Sequence, residues 1–592
     1  MSGPFHRASN FKIDNLEIVQ ANTVTYAGKS ALERLEEHIS PGAAHNSDER
    51  CDAPKCHPET RAAVQDEILS WITEGGDSDA EPKRLLWLTG PAGTGKTAIA
   101  GSVAETCSEN GLLAATFFFS SFSGSADRRS KACFVPTLAY QLRKHRGLQD
   151  VGKAILSAID NDPAIFSTRV KDQFEELVLR PFRQLSNQSS GTSLFPKVIV
   201  IDGVDECEPL KAPGQSITKE EAQIAREREH LEILDVLFQA VCDPAFPFRI
   251  VVVSRPERQF ATFFSETASD TTLKLFLDDK YDPNADIELF LHAKFAEIRR
   301  RYHFPPSWPT PAQIRSLVSN ASGQFIYAAT VIRFVDSRTH LPQEQLDCVL
   351  DLEKEPVETD PKSKHTVPQS KSKPNPFRAL DALYLHILRT CPDPLSTVEW
   401  MWNINETESI YDPSTSHSVA LPAAFWRQFI EWTPGEMEHL LGCIPSLMFV
   451  PPPEDRLAPI RVYHKSIHDF LEARKRCAEL FLPPYRRSRN YHRRLLRIIK
   501  DKGPVLPCPE SEHDKFLAQF LGLTILLWPE ASTAIHPDDK NILLSSDAQW
   551  WVDRYLDDES ITRYKRALKI SLILHSVHAS VSHFQFSLLL KV

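Results

Sequence analysis

The residues whose types and spacing point most directly to chemistry lie between Gly90 and Thr97, where the sequence reads GPAGTGKT. This is the G-x-x-x-x-G-K-[ST] spacing of a phosphate-binding P-loop. Its glycines let the backbone curl so that N–H groups converge on phosphate oxygens. Lys96 would add a point charge for the β- and γ-phosphates, and the Thr97 hydroxyl is placed for Mg²⁺. The expected nucleotide-binding residues are Gly90, Pro91, Ala92, Gly93, Thr94, Gly95, Lys96 and Thr97.

The flanking sequence supplies the elements that such a loop needs. Residues 84–89 are short and apolar, which predicts a buried strand, and residues 98–104 predict the start of a helix. A helix that begins at the loop points its positive end at the phosphates. The alternative is a glycine-rich turn that matches by chance, but it would not explain both flanking elements.

A second buried strand is predicted over 197–201, and it ends in acids. Asp202 would hold Mg²⁺, through water, opposite Thr97. Asp205 and Glu206 follow on the next loop, where one of them would orient or deprotonate the attacking water. The alternative is an acidic surface turn. The position of these acids at the end of a predicted buried strand argues against that alternative.

A third strand of the same type is predicted over 248–254, and Arg255 follows it. Its position beside the nucleotide would let the guanidinium sense the γ-phosphate. The alternative is a strand-end arginine that pairs with a nearby acid. We count Asp205, Glu206 and Arg255 as the candidate catalytic residues, and Thr97 and Asp202 as the candidate metal ligands.

Strands and helices alternate up to about residue 280, which predicts an α/β P-loop NTPase core with a parallel sheet and helices on both faces. A helical stretch is expected over 150–184. Farther on, two short strands at 447–450 and 460–463 flank a proline-rich turn and suggest a winged helix. The predicted regions are an N-terminal tail over 1–45, a lead-in helix and linker over 46–81, the core over 82–280, a helical domain over 281–352, a linker over 353–376, a winged-helix-like domain over 377–475 and an all-helical C-terminal region over 476–592.

Composition limits the function classes. The net charge of −10 gives no reason to expect binding to nucleic acid or to an acidic membrane. The 11 cysteines show no repeating spacing and are read as reduced thiols of a cytoplasmic protein, with no signal peptide and no membrane span. Cys51, Cys56 and His57 suggest zinc, but a second ligand cluster at finger spacing is missing from the sequence.

Four motifs together resemble the NACHT-domain NTPases of the STAND class, and most closely the fungal proteins of this kind with a nephrocystin-3-like N-terminal region. They are GPAGTGKT at 90–97, VIVIDGVDE at 198–206, VVVSRPE at 251–257 and HKSIHDFLE at 464–472. The resemblance implies that a histidine of the winged helix touches the β-phosphate of bound ADP. His464 matches that position, and His468 is the alternative because Ile467-His468-Asp469 also looks like the M-H-D triplet of related receptors.

The family implies a signalling switch that rests with ADP, opens and self-associates with ATP and Mg²⁺, and resets by slow hydrolysis. Such proteins act in self/non-self recognition or cell death, with a protein partner that the sequence does not identify. The repeats that usually follow are not visible before Val592, so a truncated product is one expectation. Two other classes stay open: a continuously turning over ATPase of motor or chaperone type, and an interaction scaffold. An N-K-x-D guanine-reading motif is absent, which favours ATP over GTP.

Overall fold

The structure is a computed structural model. It describes residues 29–50, 55–74, 83–121, 126–186, 196–209, 219–277, 281–337, 340–352, 377–406, 410–412, 417–487, 489–531, 547 and 550–551. Three predictions lie outside these residues: the strand or tail at the N-terminus up to residue 28, the linker over 353–376, and the helical pattern after residue 551. None of the described helices is long and apolar enough to cross a membrane.

A five-stranded parallel sheet forms the centre of the first half of the chain. Its strands are β1 (Leu85–Thr89), β2 (Leu113–Phe118), β3 (Val198–Asp202), β4 (Arg249–Ser254) and β5 (Thr272–Phe276). Their order is β2-β3-β4-β1-β5, and every neighbouring pair is parallel. The carboxyl ends of β1, β3 and β4 therefore meet at one edge, where parallel sheets of this kind bind ligands.

Helices cover both faces of the sheet, as predicted. On one face α2 (Ala62–Glu74) and α3 (Lys96–Glu109) pack against Leu86 and Leu88, and Leu85 and Trp87 point to the other face because side chains alternate along a strand. The helices of that second face are α1 (Ala31–Glu36), α5 (Phe134–Lys144), α6 (Gln149–Asn161), α7 (Val170–Phe174), α8 (Arg180–Ser186), α9 (Lys219–Cys242) and α10 (Arg258–Thr262). The short α4 (Ala126–Arg129) follows β2. The fold is therefore that of an α/β P-loop NTPase core.

The helical stretch predicted over 150–184 is present, but it is divided into separate helices. α6 ends at Asn161, and the chain passes through a 3₁₀ turn at Ile165–Ser167 before α7 begins at Val170. Pro163 explains the break, because proline lacks an N–H and disfavours the helical conformation of the residue before it. The helix after the break contains a π-helical turn at Glu175–Leu179.

The second half of the described chain is mainly helical. Its helices are α11 (Pro283–Tyr302), α12 (Pro311–Ala321), α13 (Phe325–Val335), α14 (Pro342–Asp351), α15 (Arg378–Arg389), α16 (Pro394–Glu406), α17 (Ala423–Ile430), α18 (Glu436–Leu441), α19 (Ser466–Glu472), α20 (Arg474–Cys477), α21 (Pro484–Arg487), α22 (Arg489–Asp501) and α23 (Glu510–Ala531). One continuous apolar core, from Ile287 to Phe520, joins these helices.

Two small antiparallel hairpins interrupt the helices. The first, β6 (Ile410–Asp412) with β7 (His417–Val419), was not predicted. The second, β8 (Met448–Phe449) with β9 (Arg461–Val462), is the hairpin expected around the proline-rich turn. α19 begins four residues after β9, so this hairpin delivers the HKS segment to the edge of the sheet.

Candidate functional site

The loop between β1 and α3 has the backbone shape that phosphate binding requires. Gly93 and Gly95 have φ angles of +82° and +89°, which side chains other than hydrogen rarely tolerate. A Cβ on Gly93 would also lie 2.4 Å from the Ile326 side chain at the start of α13. The Lys96 ammonium donates hydrogen bonds of 2.8 Å to the carbonyls of Gly90 and Pro91. Burial lowers the pKa of Lys96 to about 8, against the attraction of Asp205.

The two candidate magnesium ligands lie together. The Thr97 side chain, at the start of α3, and the Asp202 carboxylate, at the end of β3, both line the cavity and lie near enough for Thr97 to favour the ionised form of Asp202. Burial raises the pKa of Asp202 to about 7, although Arg50 opposes this rise. The described residues hold no cluster of three or more His, Cys, Asp or Glu side chains that would form a closed metal site. One carboxylate and one hydroxyl fit Mg²⁺, which completes its octahedron with water and phosphate oxygens.

The adjacent acids Asp205 and Glu206 have different partners. Gly203, with a φ of +74°, turns the chain into a 3₁₀ helix at Val204–Glu206. Asp205 accepts a hydrogen bond of 3.1 Å from the Arg255 backbone N–H and lies 3.4 Å from its guanidinium. Glu206 instead accepts hydrogen bonds from the backbone N–H (3.0 Å) and hydroxyl (3.3 Å) of Ser121. Asp205 thus positions Arg255, whereas Glu206 forms no ion pair with any described residue.

Arg255 combines both interpretations offered by the sequence. Its guanidinium lines the cavity above the P-loop, and it is also paired with acids. Besides Asp205, it bonds the Asp469 carboxylate of α19 through Nη1 at 2.9 Å. This ion pair connects the edge of the sheet to the helix that follows the second hairpin.

The structure places one of the two candidate histidines at the cavity. His464 lines it, and the backbone N–H of Ser466 donates to His464 Nδ1 at 3.0 Å. Nδ1 therefore accepts, and Nε2 carries the proton. Burial and the charge of Arg255 lower the pKa of His464 to about 3, so the ring is neutral at pH 7. His468 is not among the cavity residues and contacts the Trp402 ring, with 4.0 Å between ring centroids.

The cavity has a volume of about 1270 Å³ and is lined by several distant parts of the chain. The P-loop and the strand-end acids form its floor, and residues within 40–50 and 55–61 line one side. α13 contributes Ile326 and Arg333, while the second hairpin contributes Arg461, Tyr463 and His464. A nucleotide on the P-loop would therefore lie between the sheet and the helical half of the molecule.

Sequence reasoning missed several cations of this cavity. Arg61 donates from Nη2 to the Thr94 carbonyl at 3.0 Å and so supports the P-loop. Arg50, Arg128 and Arg333 also line the cavity. The one sequence signal was the position of Arg50 and Arg61 just before the P-loop strand, and single arginines there do not distinguish a site from a surface.

One comparison with known proteins covers the part of the chain that contains the P-loop. The family model described as "Nephrocystin 3, N-terminal" matches residues 63–255, which extend from α2 to Arg255. No curated protein matches the chain. Among solved structures, the ORC2 protein of Aeropyrum pernix, described with ADPNP and ADP, is similar at 11% identity and a TM-score of 0.28, over 61% of this chain and 80% of that one. A similarity of that size supports no statement about function.

Proposed function

We propose that this chain is a nucleotide-switched signalling NTPase of the NACHT/STAND type, with a closed ADP-bound state and an ATP-bound state that self-associates. In this proposal hydrolysis is slow and resets the switch, and the setting is fungal NLR-like signalling. The observation that carries the proposal is the ion pair between Arg255 and Asp469, at 2.9 Å. It ties the γ-phosphate end of a P-loop site to a helix outside the NTPase core.

The coupling follows from what each partner is attached to. Arg255 directly follows β4 and is held by Asp205, so its position depends on that acid. Asp469 and His464 belong to one short segment that follows β9: His464 lines the cavity, and Asp469 bonds Arg255. A ligand that contacts the P-loop and His464 therefore stabilises this closed arrangement. A ligand that competes for Arg255 would weaken the arrangement, as a two-state switch requires.

The closed state has a donor suited to a diphosphate. His464 is neutral, and its Nε2–H is left to donate because Nδ1 accepts from Ser466. A neutral donor that bonds a charged phosphate oxygen contributes about 1.5 to 3 kcal/mol. This contribution would favour ADP retention in the resting protein.

The test is the nucleotide content of the purified protein and its mass on gel filtration with ADP and with a non-hydrolysable ATP analogue. We expect bound ADP, a monomer with ADP, and a larger species with the analogue. We also expect Lys96→Ala to abolish nucleotide binding, because it removes the charge aimed at the phosphates, with Lys153→Ala on exposed α6 as the control. Rapid continuous turnover with no change of mass would instead favour a motor or chaperone-type ATPase.

A further inference from the structure

Two arginines that the proposed function does not use stand at the end of the cavity where Asp202 lies. Arg50 closes a short 3₁₀ turn at Asp48–Arg50, between α1 and α2. Arg128 belongs to α4, which follows β2. Both residues are buried, with 7% and 6% of their surface exposed, and both line the cavity.

The Phe118 ring places Arg50 next to the candidate magnesium site. The Arg50 guanidinium carbon lies 3.6 Å from the centre of that ring. Phe118 ends β2 and is paired in register with Asp202 on β3, which lines the cavity together with Thr97. Arg50 thus stands beside the end of the site where the terminal phosphate of a P-loop nucleotide lies.

Among the described residues, no acid lies within ion-pair distance of Arg50, although the Asp202 carboxylate is near enough for the two charges to attract each other. The described residues form no hydrogen bond or ion pair with its guanidinium, and its Nε is buried without an acceptor. Arg128 adds a second positive charge and donates from Nε to the Phe118 carbonyl at 3.2 Å. Within the part of the chain that the structure describes, its one ion-pair partner is Glu49, at 3.8 Å. Burying a guanidinium without an anion costs free energy, so this arrangement fits an anionic ligand.

Arg255, the arginine that the sequence suggested for this role, is differently placed. It is held by Asp205 and Asp469, so its charge is already balanced in the closed arrangement. Arg50, unlike Arg255, forms no ion pair among the described residues, so its charge is available to a ligand. A guanidinium also offers two parallel donors that match phosphate oxygens.

We propose that Arg50 binds the terminal phosphate of a nucleoside triphosphate in the same chain, so that the segment before the core distinguishes triphosphate from diphosphate. This inference rests on the proposed function, since it requires a nucleotide on the P-loop. A diphosphate lacks the group that Arg50 would hold. The segment over 48–50 is therefore engaged by the triphosphate alone.

The experiment compares Arg50→Met, Arg50→Lys and wild type in the full chain, with Arg34→Gln on α1 as a matched arginine control. Dissociation constants are measured for a non-hydrolysable ATP analogue and for ADP, each with Mg²⁺. We expect Arg50→Met to bind the analogue about 10- to 100-fold more weakly, with ADP affinity changed less than about threefold. The dissociation constant of Arg50→Lys for the analogue should lie between those of wild type and Arg50→Met, since lysine keeps the charge but not the planar donor pair.

A folding readout separates this role from a structural one. The methionine keeps an apolar stem over Phe118 and removes the buried charge, so Tm of the nucleotide-free protein should stay or rise. A lower Tm with equal losses for both nucleotides would overturn the inference and leave Arg50 as a counter-ion of Asp202. Unchanged affinity of Arg50→Met for the analogue would also overturn the inference about Arg50. In that case, nucleotide binding by the wild type would show that the proposed function still holds. If wild type binds neither nucleotide, the proposed function fails, and this inference with it.

Discussion

At the scale of single residues, the two adjacent acids after β3 differ in what holds them. Asp205 is occupied by Arg255, whereas Glu206 is held by the backbone N–H and hydroxyl of Ser121. A general base needs a carboxylate that is free to take a proton from water, which favours Glu206. Asp205 is better described as the residue that positions Arg255.

We therefore expect Glu206→Gln to keep nucleotide binding and to lower the hydrolysis rate by about 10²- to 10⁴-fold. The measurement is single-turnover hydrolysis together with binding of labelled ATP. Asp205→Asn should affect binding and hydrolysis together, because it loosens Arg255. If Asp205→Asn stops hydrolysis while Glu206→Gln does not, the assignment of the two acids is reversed.

His464 gives a pH dependence with a definite sign. Its pKa is about 3 in the folded protein, set by burial and by Arg255. An unfolded histidine titrates near 6.5, so the unfolded chain binds more protons between these values. The stability contribution is complete above pH 6.5 and is lost as pH falls toward 3.

We expect unfolding in urea to show that His464→Gln loses less stability than wild type between pH 7 and pH 5. The difference is at most about 1.4 kcal/mol per pH unit. His292→Gln, an exposed histidine on α11, should behave like wild type. The same loss in His464→Gln and wild type would show that His464 titrates normally in the fold.

At the scale of elements, an ion pair between partly exposed side chains joins the P-loop core to α19. The Arg255 and Asp469 side chains are 21% and 27% exposed, so water screens their attraction. The pair is therefore weak enough to break during a conformational change. It still fixes where α19 lies relative to the sheet.

Asp469→Asn should raise the ADP dissociation rate roughly three- to tenfold, as the loss of about 1 kcal/mol implies. Glu472→Gln is the matched control, because this acid lies on the same helix and is exposed. Stopped-flow release of a labelled ADP would measure both. Equal rates in the two variants would show that the ion pair does not hold the closed state.

At the scale of the whole molecule, the cavity lies between the sheet and the helical half, so opening must move one against the other. Removal of the proposed His464 contact to ADP should shift the equilibrium from the closed state toward the open state. A loss of about 1 to 3 kcal/mol would raise a 1% open population to roughly 5–60%. We expect His464→Ala to form oligomers at lower protein concentration on gel filtration, with His468→Ala close to wild type. A change in His468→Ala alone would transfer the role to that residue.

Much of the core followed from local sequence. The P-loop, the three apolar strands and the acids after β3 are short-range patterns, in which residue type and spacing alone set the backbone and the burial. The hairpin before His464 was also predicted from local strand and turn signals. The helical stretch over 150–184 also followed from local periodicity, and Pro163 marks the break between its helices.

Tertiary structure decided which distant residues share the cavity. The strand order that sets β4 between β1 and β3 brings Arg255 to Asp205, and the packing of the helical half brings Asp469 to Arg255. His464 and His468 are only four residues apart in the sequence. His464 nevertheless lines the cavity, whereas His468 contacts Trp402. The sequence also contains nothing that marks Arg50, because an arginine becomes a ligand candidate only when folding buries it without a partner. Such long-range placement depends on how helices and strands pack, and local residue patterns do not determine it.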